Sequence, residues 1–302
     1  MRTNTQHLSK NKMYTDCHIH CALSGFRHLP KGLMAKDAPE RRSFFIRTVK
    51  DYQKAGVIAL RDGGDCYGAS IAFKAYCEDV GIAYKTPVHA LYQKGCYGNF
   101  LGIPVDGTSD LKAVWEGLMS KRPDFIKIIA TGIMDFEHYG QVSDTGFAQS
   151  VLNALIARAH DAGLDVMVHV NTPAKILEAI EAGADTIEHG YMMDDACIAA
   201  MAERGTIWVP TLAPFANMAR CPEGHFVAPF RKVCARYFEG HQQAVRKAHA
   251  AGVVIAPGSD AGSTLVGHGR GILDEYTYLT ACGVPKQALD KAAAQIMGGE
   301  VK

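Results

Sequence analysis

The sequence predicts a (β/α)8 TIM barrel. Three observations carry that expectation: eight short apolar runs, helix-like segments between them, and glycines that close most of those segments. The series occupies about 270 residues, close to the roughly 250 typical of such barrels. The runs lie at 13–20, 57–62, 85–91, 125–131, 165–170, 186–189, 206–210 and 253–257. The helical segments between them lie at 41–55, 69–80, 109–121, 148–162, 173–182, 194–204 and 228–251. Gly56, Gly81, Gly163, Gly183, Gly205 and Gly252 follow six of these. Ser109 is a plausible cap for the third, which stops before Pro123, and Pro173 opens the fifth. Glycine past a helix end and proline in its first turn are the ordinary punctuation of repeated βα units. Segments 270–282 and 286–297 read as closing helices.

Composition narrows the classes. Of 302 residues, 48% are hydrophobic and 21% charged, an ordinary globular balance that excludes a disordered or collagenous chain. Lysine plus arginine number 32 against 31 acidic residues, a net charge of +1. That leaves no basic excess for general nucleic-acid binding. No apolar run approaches the roughly 20 residues needed to span a bilayer. Residues 1–12 are polar and read as a disordered leader, with residues 13–302 a single barrel domain. Nine scattered cysteines without a CxxC pair fit free thiols in a reducing cytoplasm.

Barrel enzymes place reactive groups at the carboxyl ends of their strands. The first run ends Asp16-Cys17-His18-Ile19-His20. Residues two apart on a strand share a face, so His18 and His20 point together into the barrel mouth, where two imidazoles suit a transition metal. Alternation turns Cys17 away from them. In the fourth run Lys127 sits between apolar neighbours. A buried ammonium must lose its charge, be paired or be modified. A carbamate, a Schiff-base amine and a snorkelling edge lysine are all compatible with that position. His169 and His189 end the fifth and sixth runs, and Asp260 follows the eighth within Gly-Ser-Asp-Ala-Gly. The glycines at 267, 269 and 271 do not form a dinucleotide fingerprint, and no phosphate-binding loop of the GxxxxGK[ST] kind occurs.

Strand ends 1, 4, 5, 6 and 8 thus carry His-x-His, Lys, His, His and Asp. In that order the sequence resembles the amidohydrolase superfamily, in its binuclear, carboxylated-lysine branch of prolidase-like and imidazolonepropionase-like proteins. The stretches that carry the resemblance are DCHIH (16–20), AGVIALRDGG (55–64), DFIKIIATG (124–132), AHDAGLDVMVH (159–169), AGADTIEHG (182–190) and GSDAG (258–262). It covers residues 13–297.

The resemblance implies two divalent ions per chain, with zinc the usual metal. His18, His20 and Asp260 would hold the more buried ion, His169 and His189 the more exposed one, and carboxylated Lys127 would bridge them. Asp260 would also be the catalytic general base and acid. Relatives in this branch usually carry an accessory β-sandwich, and most or all of it is missing from this sequence. A barrel surface so stripped raises the expectation of a homo-oligomer.

The function expected is hydrolysis of a C–N amide bond in a small molecule: a linear or cyclic amide, an N-acyl amino acid or a dipeptide. Lactone, ester or phosphotriester hydrolysis on the same site is the enzymatic alternative. A non-catalytic barrel stabilised by metal is the alternative of another class. Substrate contacts are expected from His89 at the end of the third strand, His138 and Tyr139 in the loop after the fourth, Tyr191 after the sixth, and His268 after the eighth. Arg61 and Asp62 read as a structural ion pair or turn cap.

Overall fold

A computed structural model describes residues 13–25, 39–107 and 111–299. The leader expected at 1–12 and the Ser109 cap lie outside those residues. The elements run β1 (Tyr14–Ile19), α1 (Pro39–Ala55), β2 (Val57–Asp62), α2 (Ala69–Glu78), β3 (Ala83–Lys85), β4 (Ala90–Gln93) and β5 (Gly102–Val105). They continue with α3 (Leu111–Met119), β6 (Ile126–Ile129), α4 (Gln149–Asp161), β7 (Val166–Val170), α5 (Pro173–Glu181) and β8 (Thr186–His189). The chain then adds α6 (Asp195–Arg204), β9 (Ile207–Val209), α7 (Ala213–Ala219), α8 (Arg231–Ala250), α9 (Arg270–Ala281) and α10 (Lys286–Ile296).

Every strand pairing is parallel. β1, β2 and β3 form one sheet, and β5-β4-β6-β7-β8-β9 the other. Two features make one barrel of them. The third barrel strand is interrupted: β3 pairs with β2, the chain bends at 86–89, and β4 continues by pairing with β6. On the other side, segment 253–261 fills the gap between β9 and β1. Trp208 bridges Ile255, Cys17 N–H donates to the Pro257 carbonyl (2.9 Å), and Asp260 N–H donates to the His18 carbonyl (2.8 Å).

The bend corrects one expectation. His89 does not end the third strand but sits in the break before β4. Pro87 has no N–H to give a ladder, and Val88 adopts a left-handed φ of 66°, so pairing cannot run through. β5 and α7 were not foreseen either. Pro104 within β5 argues against a strand, but β5 lies at the edge of the sheet order, where a missing donor is tolerated.

β6, β7 and β8 are buried along their whole length, as parallel strands covered on both faces must be. Alternation then sorts each strand between the barrel interior and the helical jacket. Cys17 packs outward with Ile207, Val209, Ala256 and Ile296, while His18 faces inward. The helices end as the punctuation implies. Asp194 caps α6 by accepting from Cys197 N–H (2.9 Å), a contact worth about 1 kcal/mol, and Gly205 closes that helix at φ 72°. Among the described residues no helix is long and apolar enough to cross a membrane.

Glu275, on α9, is fully buried at the start of α7, where its Oε2 accepts from Ala213 N–H (2.8 Å) while Oε1 has no partner. Burial pushes its pKa up to about 8. The unfolded chain would ionise near the ordinary glutamate value while the fold stays protonated. The stability this group contributes is therefore complete below about pH 4.5 and is lost progressively up to about pH 8. A Glu275→Gln protein should accordingly gain urea resistance relative to the parent as pH rises from 5 to 8. A difference that does not change with pH would contradict the assignment.

Candidate metal centre

The rim is assembled from strand ends by alternation and by two departures from it. On β1, His18 and His20 share the inner face, with their Nε2 atoms 3.4 Å apart. Asp260 approaches from the last barrel segment, its Oδ1 3.6 Å from His18 Nε2 and 3.3 Å from His20 Nε2. One donor atom from each of the three lies within 4.8 Å of the others, close enough for a single cation. Lys127, on β6, is 1% exposed and its Nζ has no hydrogen-bond partner. His169 ends the next strand but one residue, and its ring centroid lies 4.6 Å from that of His189, which is 4.8 Å from that of His18. The five predicted strand ends therefore meet.

Glu188 and His189 are consecutive, yet both reach His18. A regular strand would turn them to opposite faces. His189 instead adopts φ 63°, which swings its ring back over the barrel mouth. Asp260 (φ 57°) and Thr211 (φ 53°) are left-handed too. Such conformations cost of order 1–3 kcal/mol each and gather where a site demands them. Trp208 Nε1–H donates to the His189 carbonyl (2.9 Å) and holds the turn.

His18, His169 and His189 are each oriented from behind, whereas His20 Nδ1 has no partner among the described residues. His18 Nδ1–H donates to Glu188 Oε2 (2.5 Å), leaving the Nε2 lone pair for the site. Glu188 also accepts from Thr186 Oγ1 (2.6 Å) and from Arg61 (3.3 Å). Burial pushes its carboxyl upward, and the charges of Arg61 and Lys127 pull it back. His189 Nδ1–H donates to Thr211 Oγ1 (2.7 Å), and His169 Nε2–H donates to the Gly132 carbonyl (3.4 Å), which leaves its Nδ1 lone pair for the site. A second hydrogen bond of this kind sets the tautomer of a metal-binding histidine. Arg61 is thus the structural ion pair foreseen, with Glu188 as its partner. Asp62 is the turn cap, accepting from Gly64 N–H (2.7 Å) and Cys21 N–H (2.8 Å).

Electrostatics favour neutral donors. Burial holds His18 and His189 well below the usual histidine range and brings His169 down to about 3, with Lys127 adding to each. Burial lowers the Lys127 amine to about 8. Burial pushes Asp260 upward, but its contacts with His20 and His18 outweigh that and keep it ionised below the ordinary aspartate value. Imidazoles, one carboxylate and a weakened amine whose Nζ has no partner among the described residues form a donor set that fits divalent metal.

Of the remaining expected residues, only Tyr191 lines the cavity above this cluster. His89 spends both ring nitrogens elsewhere, on the Asp65 carbonyl (2.5 Å) and Lys121 Nζ (2.6 Å). His138 is exposed beside Asp135, and Tyr139 stacks on Tyr237 at 4.5 Å. His268 joins Tyr52 Oη (2.9 Å) to the Leu23 carbonyl (2.8 Å) and so fastens a loop. None of these four borders the cavity, because each is tied to backbone or a neighbour outside it. Sequence reasoning missed Tyr97, Asn171, Phe136 and Phe215, which do border it. Asn171 follows His169 by two residues, the same spacing that marks His18 and His20, and could have been found that way. All nine cysteines are free.

Such a rim defines a class: barrel enzymes that hold divalent ions at the carboxyl ends of parallel strands. The family model described as "Amidohydrolase family" matches residues 14–295. The chain belongs to the amidohydrolase family.

Among solved structures, it is similar to a Xaa-Pro dipeptidase with methionine bound in the active site. That pair shares 25% identity with a TM-score of 0.76, over 96% of this chain and 75% of the other. A prolidase complexed with N-methylphosphonate-L-proline (22% identity, TM-score 0.73, 96% and 75% coverage) and A. niger ochratoxinase (20%, 0.74, 92% and 68%) share the fold. Uncharacterized proteins of Mycobacterium bovis and Mycobacterium tuberculosis are 38% identical over 143 residues. That match takes in 46% of this chain and 37% of theirs, so it spans well under half the length of those relatives.

The histidine pair is cradled by two glycines. A Cβ on Gly63 would sit 2.3 Å from His20 Cε1, and one on Gly258 would sit 2.4 Å from Val209 and 2.8 Å from His18 Cβ. Gly258→Ala should therefore cost about 1–3 kcal/mol by overpacking and lower the bound metal, measured by elemental analysis after dialysis. Full metal content at parental stability would show that the cradle is not needed.

Proposed function

We propose that this protein hydrolyses the amide bond of a small molecule at a binuclear divalent-metal centre, with zinc the natural occupant. His18, His20 and Asp260 would hold one ion and His169 and His189 the other, and Lys127, as its carbamate, would supply an anionic ligand to the pair. The observation that carries the reading is the convergence of His18, His20 and Asp260 on one point beside a buried amine that has no partner. An amine with its pKa brought down to about 8 is partly neutral near pH 7. In that form its nitrogen can add to carbon dioxide, releasing one proton and leaving an anionic carbamate.

When bound, divalent ions would supply Lewis-acid activation of water and of the scissile carbonyl. The protein's own part is to keep His18, His169 and His189 neutral, to orient them from Glu188, the Gly132 carbonyl and Thr211, and to move protons. Asp260 is ionised and lies within hydrogen-bonding reach of the metal-facing histidines, so it accepts the proton of the attacking water. It then returns that proton to the nitrogen as the C–N bond breaks, which avoids expulsion of an amide anion. Atoms balance as one water added across one amide.

Asp260→Asn should keep most of its metal through the histidines and lose about 10²–10⁴-fold in turnover, the usual worth of a positioned acid–base group. Substantial turnover in a metal-loaded Asp260→Asn protein would end this role. Lys127→Ala should hold fewer than two ions per chain by elemental analysis, with a short-chain carboxylic acid restoring the second. Two ions held without the acid would exclude a bridge.

A further inference from the structure

Above the metal-binding cluster lies a cavity of about 560 Å³, within the range that takes a drug-sized molecule. Its wall is divided. On the side of His169, Tyr97 and Phe100 meet edge to face at 5.5 Å, and the Tyr97 ring lies 5.6 Å from His169. On the side of His189, Tyr191 stacks against the imidazole at 5.5 Å and meets Phe215 edge to face at 4.5 Å, while Phe215 meets Phe136 at 6.0 Å. Met134 and Met218 fill the space between as deformable apolar packing. Tyr67 and Phe226 stand at the mouth, half and more than one-third exposed.

Charge is distributed in the opposite way. Among the described residues lining this cavity, the formally charged side chains are Lys127 and Asp260, and both belong to the metal cluster at its floor. The Tyr191 hydroxyl is already committed to the Thr211 carbonyl (3.0 Å). A ligand carboxylate or ammonium placed between these aromatic groups would meet, among the described residues, hydroxyl and amide groups of Tyr97, Asn171, Ser263 and Thr264 but no opposite charge outside the metal cluster, whereas a ring would gain edge-to-face and stacking contacts.

We propose that the substrate is an uncharged amide carrying a ring-bearing apolar group on each side of the scissile bond, rather than an N-acyl amino acid or a dipeptide with a free carboxylate. The proposal rests on the reading of the site as an amide hydrolase. Its specificity would come from Tyr97 and Phe100 against one group and from Tyr191, Phe215 and Phe136 against the other.

The test compares two diaryl amides of similar shape on the metal-loaded protein, each with one scissile amide: N-benzoyl-4-aminoacetophenone, which is neutral, and N-benzoyl-4-aminobenzoate, which is anionic. Burying an unpaired carboxylate should cost the anion at least ~10-fold in kcat/KM, chiefly through KM. Two diaryl ketones without a hydrolysable bond, 4-acetylbenzophenone and 4-benzoylbenzoate, report the wall by calorimetry without turnover. The neutral ketone should bind at least ~10-fold tighter. Tyr97→Leu and Phe136→Leu, which keep bulk but remove the ring, should each weaken the neutral ketone about 3–10-fold at unchanged metal content.

Equal or better use of the carboxylated amide overturns the inference and leaves amide hydrolysis standing. Equal or tighter binding of the carboxylated ketone, or no loss of affinity in either leucine variant, also overturns it. If no amide of any kind is turned over, the parent reading falls, and the ketone pair still decides the character of the wall.

Discussion

An interior that resists charge governs this molecule. The barrel places an amine, four imidazoles and two carboxylates within a few ångströms of one another and removes most of them from water. Burial, reinforced by the charge of Lys127, drives His18, His169 and His189 neutral, and burial weakens the lysine. Two acids, Glu188 and Asp260, then meet the two ring nitrogens of His18. What results is a set of lone pairs aimed inward. That is a poor arrangement for a protein core and a good one for a cation.

The cost of holding that arrangement is visible in the backbone. His189, Thr211 and Asp260 all lie in left-handed conformations that side chains with a Cβ rarely adopt. Each stands at the end of a barrel strand. The strained turn lets consecutive residues serve one point, as Glu188 and His189 do for His18. Gly63 and Gly258 complete the device by leaving room where a methyl group would collide with the imidazoles.

Much of the barrel was legible because its signals are local. Period-two alternation turned His18 and His20 inward and Cys17 outward. Glycines at helix ends marked the βα repeats. The residues gathered at the rim were legible because strand ends in a parallel barrel share one face, wherever they fall along the chain. What escaped the sequence depends on distant partners. Nothing near His89 says that Lys121 and the Asp65 carbonyl will occupy its ring, and nothing near His268 announces Tyr52. The role of Glu188 needs a histidine 170 positions away. The aromatic wall is spread over loops after four different strands, where no periodicity operates. The bend at 86–89 trades a regular ladder for a continuous barrel through Val88, a residue type with no turn preference.

Asp16 is fully buried and accepts from Ser259 at both the backbone N–H (2.8 Å) and the hydroxyl (2.5 Å), fastening the first strand to the last barrel segment. During synthesis the histidine pair leaves the ribosome some 240 residues before its carboxylate partner does. Until segment 253–261 docks, His18 and His20 face a gap in the cylinder and not Asp260. Closure of the cylinder and completion of the ion-binding cluster are therefore one event, and a nascent chain acquires both together, once segment 253–261 has emerged.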